Sequence, residues 1–384
     1  MRSEPGPGPP THLRFETELD RLRQDSLYRR LHAAERPDFC SNDYLGLAHS
    51  AALIEAAASA AAGAKRAGST GSRLLSGHGP EWEALEAEFA QFAGAESSLY
   101  LGSGYAANVG LLSAVIRPED TVFSDASNHA SLIDGIRLSG GRKVIVPHLD
   151  LDAFETALAS DDGTGERFIV VESLYSMDGD RAPIDDLATL AGRYRAGLII
   201  DEAHATGVFG RQGRGLISDT VRESDVLIAA VHTCGKALAS PGAFVTGSRN
   251  LVDFLINTAR TFIFSTALPP FVAGQVSAAI RLVREADEER ARVLAHAARL
   301  REGLRGHGID IGAADAQIVP VMLGSNRNAV EAAERLAGDG FLIRPIRPPT
   351  VPVGTARLRL SVTADTHEDT IDKVIEAIAA IDLR

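Results

Sequence analysis

The chain has 384 residues, 45% of them hydrophobic and 23% charged, a composition that excludes a fibrous or disordered protein. Its formal net charge of -12 argues against nucleic acid or an anionic membrane as main partner, while leaving room for a locally basic pocket. The two cysteines, Cys40 and Cys234, are too few for a disulfide framework and show no metal-ligand spacing, so a cytoplasmic protein without a bound metal is expected.

Met1 to Pro10, rich in Gly and Pro, lacks the apolar core of a signal peptide and reads as a tail. Residues 13–34 carry apolar side chains at helical spacing among many charges, which predicts an amphipathic helix. A short segment, Phe39 to Leu47, follows, with Asn42 and Asp43 as turn residues. The alanine-rich run Ala51 to Ala64 contains Glu55 and is too short to span a bilayer. From about residue 80, helical stretches alternate with short apolar runs at 98–101, 121–124, 143–146, 168–171, 198–200, 226–231 and 243–246. Several of these runs are continuous and β-branched, as in strands buried on both faces of a largely parallel sheet, so an α/β doubly wound domain is expected. Ala278 to Leu304 predicts one long charged helix leading into a smaller α+β region. That region reads as strand 317–323, helix 328–337, strands 341–346 and 357–362, and helix 367–381. The expected division is a tail, helix and arm (1–48), a large α/β domain (49–284) and a C-terminal α+β domain (285–384).

In open α/β sheets, ligands bind beyond the carboxyl ends of the strands, so the polar residues just after each apolar run carry the chemistry. Gly102-Ser103-Gly104 before a helix offers an anion cradle, and equally a plain strand-to-helix turn. His129 is either a capping histidine or a flat ring stacked on an aromatic cofactor. Asp201 at a strand end could pair with a ring nitrogen, with His204 approaching the same cofactor. The string Asp-Glu-Ala-His (201–204) also occurs in helicases, but the phosphate loop that such an enzyme needs is missing. Only four lysines exist: Lys65, Lys143, Lys236 and Lys373. Lys143 opens a strand, Lys373 lies on a helix, and Lys65 follows the alanine-rich helix. Lys236 alone stands just beyond a buried strand, beside Gly235 and Thr233, where a lysine can be desolvated and act as a neutral nucleophile. A surface lysine after a strand is the alternative.

The segments Ser-Asn-Asp-Tyr-Leu-Gly-Leu (41–47), Ser-Asn-His-Ala-Ser-Leu (127–132), Ser-Met-Asp-Gly-Asp (176–180), Asp-Glu-Ala-His (201–204), Gly-Lys (235–236) and Phe-Ser-Thr-Ala-Leu-Pro-Pro (264–270) occur in one order. Together they resemble the α-oxoamine synthases, pyridoxal 5'-phosphate (PLP) enzymes of the aspartate-aminotransferase fold, from about residue 38 to the C-terminus. The stretch 346–360, with its Arg-Pro-Pro-Thr portion, is similar to the 8-amino-7-oxononanoate synthases of biotin biosynthesis. The resemblance implies a PLP-dependent transferase of fold type I and a homodimer with shared active sites. It implies decarboxylative condensation of L-alanine with a pimeloyl thioester on CoA or acyl-carrier protein.

By the same resemblance, Lys236 forms the Schiff base and, once freed, acts as general base. Asp201 pairs with the pyridine nitrogen, His204 lies near the phenolic oxygen, and His129 stacks on the ring. Gly104, Tyr105, Ser176 and Thr233 surround the cofactor, and Thr266 reaches its phosphate from the partner subunit. Arg359, helped by Asn42, holds the amino-acid carboxylate, with His129 also at the substrate. Thr350 lines the acyl site. Arg29 is chosen as the family's N-terminal arginine over Arg21, Arg23 and Arg30. Cys234, Ala205 and Pro241 depart from the family's usual pattern beside the cofactor loop and bear on fine specificity. The rival readings are a sister synthase such as glycine C-acetyltransferase, an aminotransferase, and a non-catalytic PLP-binding protein.

Overall fold

The computed structural model describes residues 11–31 and 38–381. The Gly/Pro-rich start of the chain and the end of the helix expected over 13–34 lie outside them. Seven strands, β1 (Ser97–Leu101), β2 (Thr121–Asp125), β3 (Arg142–Val146), β4 (Arg167–Glu172), β5 (Ala196–Asp201), β6 (Leu227–Thr233) and β7 (Ala243–Gly247), form one sheet. Their order is β1-β7-β6-β5-β4-β2-β3, all parallel except β7, which runs against both neighbours. Each expected run became a strand because alternate residues bury on opposite faces. Phe168 and Val170 pack with Leu112 and Ile136 on one side, while Ile169 and Val171 pack with Phe154 and Leu187 on the other. The edge strand β3 exposes Arg142 and Lys143, charges that blunt pairing with another sheet.

A second antiparallel sheet joins β8 (Ile318–Gly324), β10 (Ala356–Ser361) and β9 (Arg344–Ile346) in the order β8-β10-β9. Strand β10 alternates strictly. Leu358 and Leu360 enter the largest apolar core, while Arg357, Arg359 and Ser361 share the opposite face, three polar side chains buried against the end of the large sheet. Among the described residues no helix is long and apolar enough to cross a membrane.

Three elements differ from expectation. The N-terminal helix spans Thr11–Gln24 and stops there because Ser26 takes a left-handed φ of 55°. The Leu27 N–H then donates to the Leu22 carbonyl (2.7 Å) and Ser26 to Arg23 (3.2 Å), a C-terminal cap built without glycine. The long helix expected from Ala278 is two, Phe271–Glu285 and Asp287–Gly306, broken at Ala286. The Arg290 guanidinium donates to the Val283 carbonyl at 2.6 Å and closes the break, while Asp287, Glu288 and Glu289 restart the helix with negative charge at its positive end. The strand expected over 341–346 is only Arg344–Ile346, because Gly340 and Phe341 cap the helix Asn326–Gly338, with Phe341 N–H donating to the Leu336 carbonyl at 2.8 Å.

Candidate active site

Strands β4, β5 and β6 end side by side. Asp201 closes β5. Its Oδ1 accepts from the Ala203 N–H (2.8 Å) and its Oδ2 from Asn108 Nδ2 (2.7 Å), and Asn108 in turn donates to Ser131 Oγ (2.9 Å). Among the described residues no cationic side chain pairs with this buried carboxylate. It is oriented by hydrogen bonds alone.

Lys236 lies three residues past β6, in a tight loop closed by the Cys234 N–H on the Gly242 carbonyl (2.9 Å) and by Ala239 N–H on the Lys236 carbonyl (2.8 Å). It is the one lysine of four not exposed; Lys65, Lys143 and Lys373 are all on the surface. Burial lowers its pKa to about 8, against the pull of Asp201 and Glu172 and helped by Arg359. A neutral fraction of roughly a tenth is therefore available at pH 7.

His204 is buried, and its Nδ1 lies 2.6 Å from the Tyr44 hydroxyl. Burial, Lys236 and Arg359 hold its pKa well below the usual range, so the ring is neutral. His129 caps the helix Ala130–Ser139, its Nδ1 accepting the Ser131 N–H at 3.2 Å, yet leaves its ring accessible. Desolvation lowers its pKa, with Asp201 opposing and Lys236 adding. The capping reading of His129 therefore holds, and its side chain remains exposed.

Arg359 anchors the small sheet to the site. Its Nε donates to the Ser176 carbonyl (2.5 Å), Nη1 to Ser361 Oγ (2.9 Å) and Nη2 to Asn42 Oδ1 (3.0 Å). Arg357, two residues earlier on the same face, pairs with Asp178 at 2.5 Å, so both arginines grip the Ser-Met-Asp-Gly-Asp turn. Glu172, the last residue of β4 and the register neighbour of Asp201, accepts the Ser176 N–H at 3.1 Å. Burial and the nearby Asp201 raise its carboxyl to about 8, so it is largely protonated at neutral pH.

The helix Gly104–Val115 opens after β1 with Ser103 as its cap, and its N-terminus meets Thr233 so closely that a Cβ at Gly104 would lie 3.3 Å from the Thr233 hydroxyl. A helix N-terminus beside a hydroxyl favours an anion. The Tyr105 ring turns outward, half exposed, and its phenol bonds Asp134 on the next helix rather than joining the buried group. Thr266 and Thr350 are exposed and stand apart from that group. Arg29, on the surface, donates to the Pro348 carbonyl at 3.1 Å, two residues from Thr350, whereas Arg21 and Arg23 pair with their own helix and Arg30 lies over Tyr28.

Asn108, Glu172 and Tyr44 were missed by sequence reasoning. Asn108 offered a signal, an amide inside the apolar helix run Ala106-Ala107-Asn108-Val109, where asparagine is unfavourable unless it has a partner.

The fold and this constellation define a PLP-dependent enzyme of fold type I. The aminotransferase class I and II profile matches residues 37–378. An 8-amino-7-oxononanoate synthase of Methylococcus capsulatus is 44% identical over 90% of this chain and 89% of its own length. One from Geobacter sulfurreducens is 41% identical over 95% and 96%. Among solved structures, a serine palmitoyltransferase from S. paucimobilis with PLP and myriocin bound superposes with a TM-score of 0.88 at 27% identity, covering 95% of this chain and 96% of that one. An 8-amino-7-oxononanoate synthase from Francisella tularensis gives 0.77 at 28% identity, covering 89% and 96%. The chain belongs to the aminotransferase class I and II family and, within it, to the 8-amino-7-oxononanoate synthases.

Proposed function

We propose that the chain joins L-alanine to a pimeloyl thioester, on CoA or acyl-carrier protein, with loss of CO2, to give 8-amino-7-oxononanoate in the cytoplasm. The observation that carries this reading is the meeting, beyond the carboxyl ends of β5 and β6, of a cation-free buried carboxylate, Asp201, a partly neutral lysine, Lys236, and the buried arginine fork of Arg359 from the small sheet. The donor set fits PLP. Lys236 would hold its aldehyde carbon, Asp201 its ring nitrogen, His204 its phenolic oxygen and His129 its ring face. Gly104 with the Tyr105 backbone, Ser176 and Thr233 would hold its phosphate, with Thr266 entering from a second subunit. The bound cofactor supplies an electron sink for a carbanion at the amino-acid α-carbon.

The rest falls to the chain. Arg359 binds the alanine carboxylate bidentately, with Asn42 beside it, and so fixes which Cα bond points at Lys236. The Lys236 amine takes the Cα proton and later returns one. Arg29 and Thr350, both on the surface beside Pro348, receive the acyl chain. Leu75 and Phe264, 84% and 70% exposed, flank the contact between the Ala267 N–H and the Gly71 carbonyl (3.0 Å). Apolar exposure beside Thr266 supports a homodimer with shared sites. The test is thiol release from pimeloyl-CoA and acetyl-CoA with L-alanine, glycine and L-serine. Activity confined to L-alanine with the pimeloyl thioester is expected. Activity confined to glycine with acetyl-CoA would favour the sister synthase.

A further inference from the structure

Tyr44 is fully buried in the turn that follows Asn42 and Asp43, and its backbone is pinned by its own N–H on the Asn42 carbonyl and by the Ala364 N–H on its carbonyl, both at 2.8 Å. Its hydroxyl stands 2.6 Å from His204 Nδ1 and 3.1 Å from Asn42 Oδ1. That Asn42 oxygen already accepts the charged Arg359 Nη2 at 3.0 Å. The Gln317 side chain holds the other end of His204 through its carbonyl, at 2.8 Å. A single chain of contacts thus runs from His204 through Tyr44 and Asn42 to Arg359.

A phenol has one proton to give, and a neutral imidazole has one donor and one acceptor nitrogen. Asn42 Oδ1 is served by a guanidinium, and the shorter contact of the phenol is to the imidazole. The hydroxyl proton therefore goes to Nδ1, which leaves the His204 proton on Nε2. Burial keeps the phenol protonated and the imidazole neutral, so this arrangement persists across physiological pH.

We propose that Tyr44 is a positioning residue that locks His204 in its Nε2–H tautomer, and that Asn42 Oδ1, which competes for the same phenol proton unless Arg359 serves it, ties that choice to occupancy of Arg359 by the substrate carboxylate. The proposal rests on the reading in which His204 faces the cofactor and Arg359 the alanine carboxylate. A short O–H···N contact at a catalytic site has the consequence that removing one hydroxyl changes the proton position without removing the ring.

The test uses protein labelled with nitrogen-15 at histidine, both as holoenzyme and after removal of PLP, with the His204 signal identified by its loss in His204→Gln. The tautomer is read from long-range proton–nitrogen correlations. Wild type should show Nε2–H in both forms between pH 6 and 9, and Tyr44→Phe a mixture of tautomers. In holoenzyme, Tyr44→Phe should also raise the apparent Kd of L-alanine, read from the cofactor absorbance, about 3- to 10-fold, and this effect should vanish in a His204→Gln background, as coupled residues require. Wild type carrying Nδ1–H would overturn the proposal, and needs no variant to fold. So would an unchanged tautomer and alanine Kd in a folded Tyr44→Phe. Wild type that takes up no PLP while His204 keeps its Nε2–H tautomer would instead sink the proposed function.

Discussion

At the scale of single residues, Lys236 and Arg359 carry the account. Only one lysine of four leaves the surface, and it does so at the carboxyl end of β6, where elimination along the chain had pointed. Asp201 was legible for the same reason, as the first polar residue after an apolar run. Its partner Asn108 was not, because the two lie 93 positions apart and only the folded sheet brings them to 2.7 Å. Tyr44 and His204, 160 positions apart, are the same case. Arg359 makes three hydrogen bonds with a planar fork that a lysine cannot reproduce. Arg359→Lys should raise the KM for L-alanine about 10- to 100-fold while leaving the protein folded, since a charge-assisted bidentate contact is worth roughly 1.5–3 kcal/mol. Steady-state kinetics with L-alanine varied at saturating thioester checks this.

At the scale of elements, the loops between strands decide whether these residues meet. The Ser-Met-Asp-Gly-Asp turn depends on Gly179, whose φ is 71° and where a Cβ would come within 2.0 Å of the Ile318 carbonyl on β8. Gly179→Ala should destabilise the protein by about 1–3 kcal/mol and weaken PLP retention, read as a lower denaturation midpoint and a lower cofactor content. His148 holds the same turn from the other side, its Nδ1 2.8 Å from Asp125 and its Nε2 3.1 Å from Asp180. Burial alone would lower its pKa, but hydrogen bonds to the two carboxylates outweigh that and raise it to about 10. A histidine raised in the folded state gives stability that is complete below its ordinary value of 6.5 and is lost as pH climbs through about 10. The stability gap between wild type and His148→Asn should therefore be about 2 kcal/mol at pH 6.5 and narrow steadily towards pH 10. Chemical denaturation across that range checks the sign, and a gap that widens with pH would contradict it. These strands were readable from composition because burial on both faces demands unbroken apolar runs. The helix ends were not. Ser26 adopts a left-handed cap without glycine, and Ala286 breaks a helix with no proline where Phe271–Glu285 packs on Ala51–Ala62 and Pro80–Ala93 but Asp287–Gly306 packs on Glu368–Ala379 and β8.

At the scale of the whole molecule, the large sheet supplies the carboxylate and the lysine, and the small sheet the guanidinium. The resemblance carried by the loops told more here than periodicity could, since spacing alone does not say which distant loops share an edge. Leu75 and Phe264 are exposed apolar side chains, and if they seal the proposed homodimer, Leu75→Asp with Phe264→Asp should yield monomers in light scattering where the wild type gives dimers, and reduce PLP affinity with it. The most direct measurement of the central claim is borohydride reduction of the PLP-loaded protein followed by peptide mapping of all four lysines. The account predicts a pyridoxyl label on Lys236 alone; a label on Lys65, Lys143 or Lys373, with Lys236 unmodified, would contradict it.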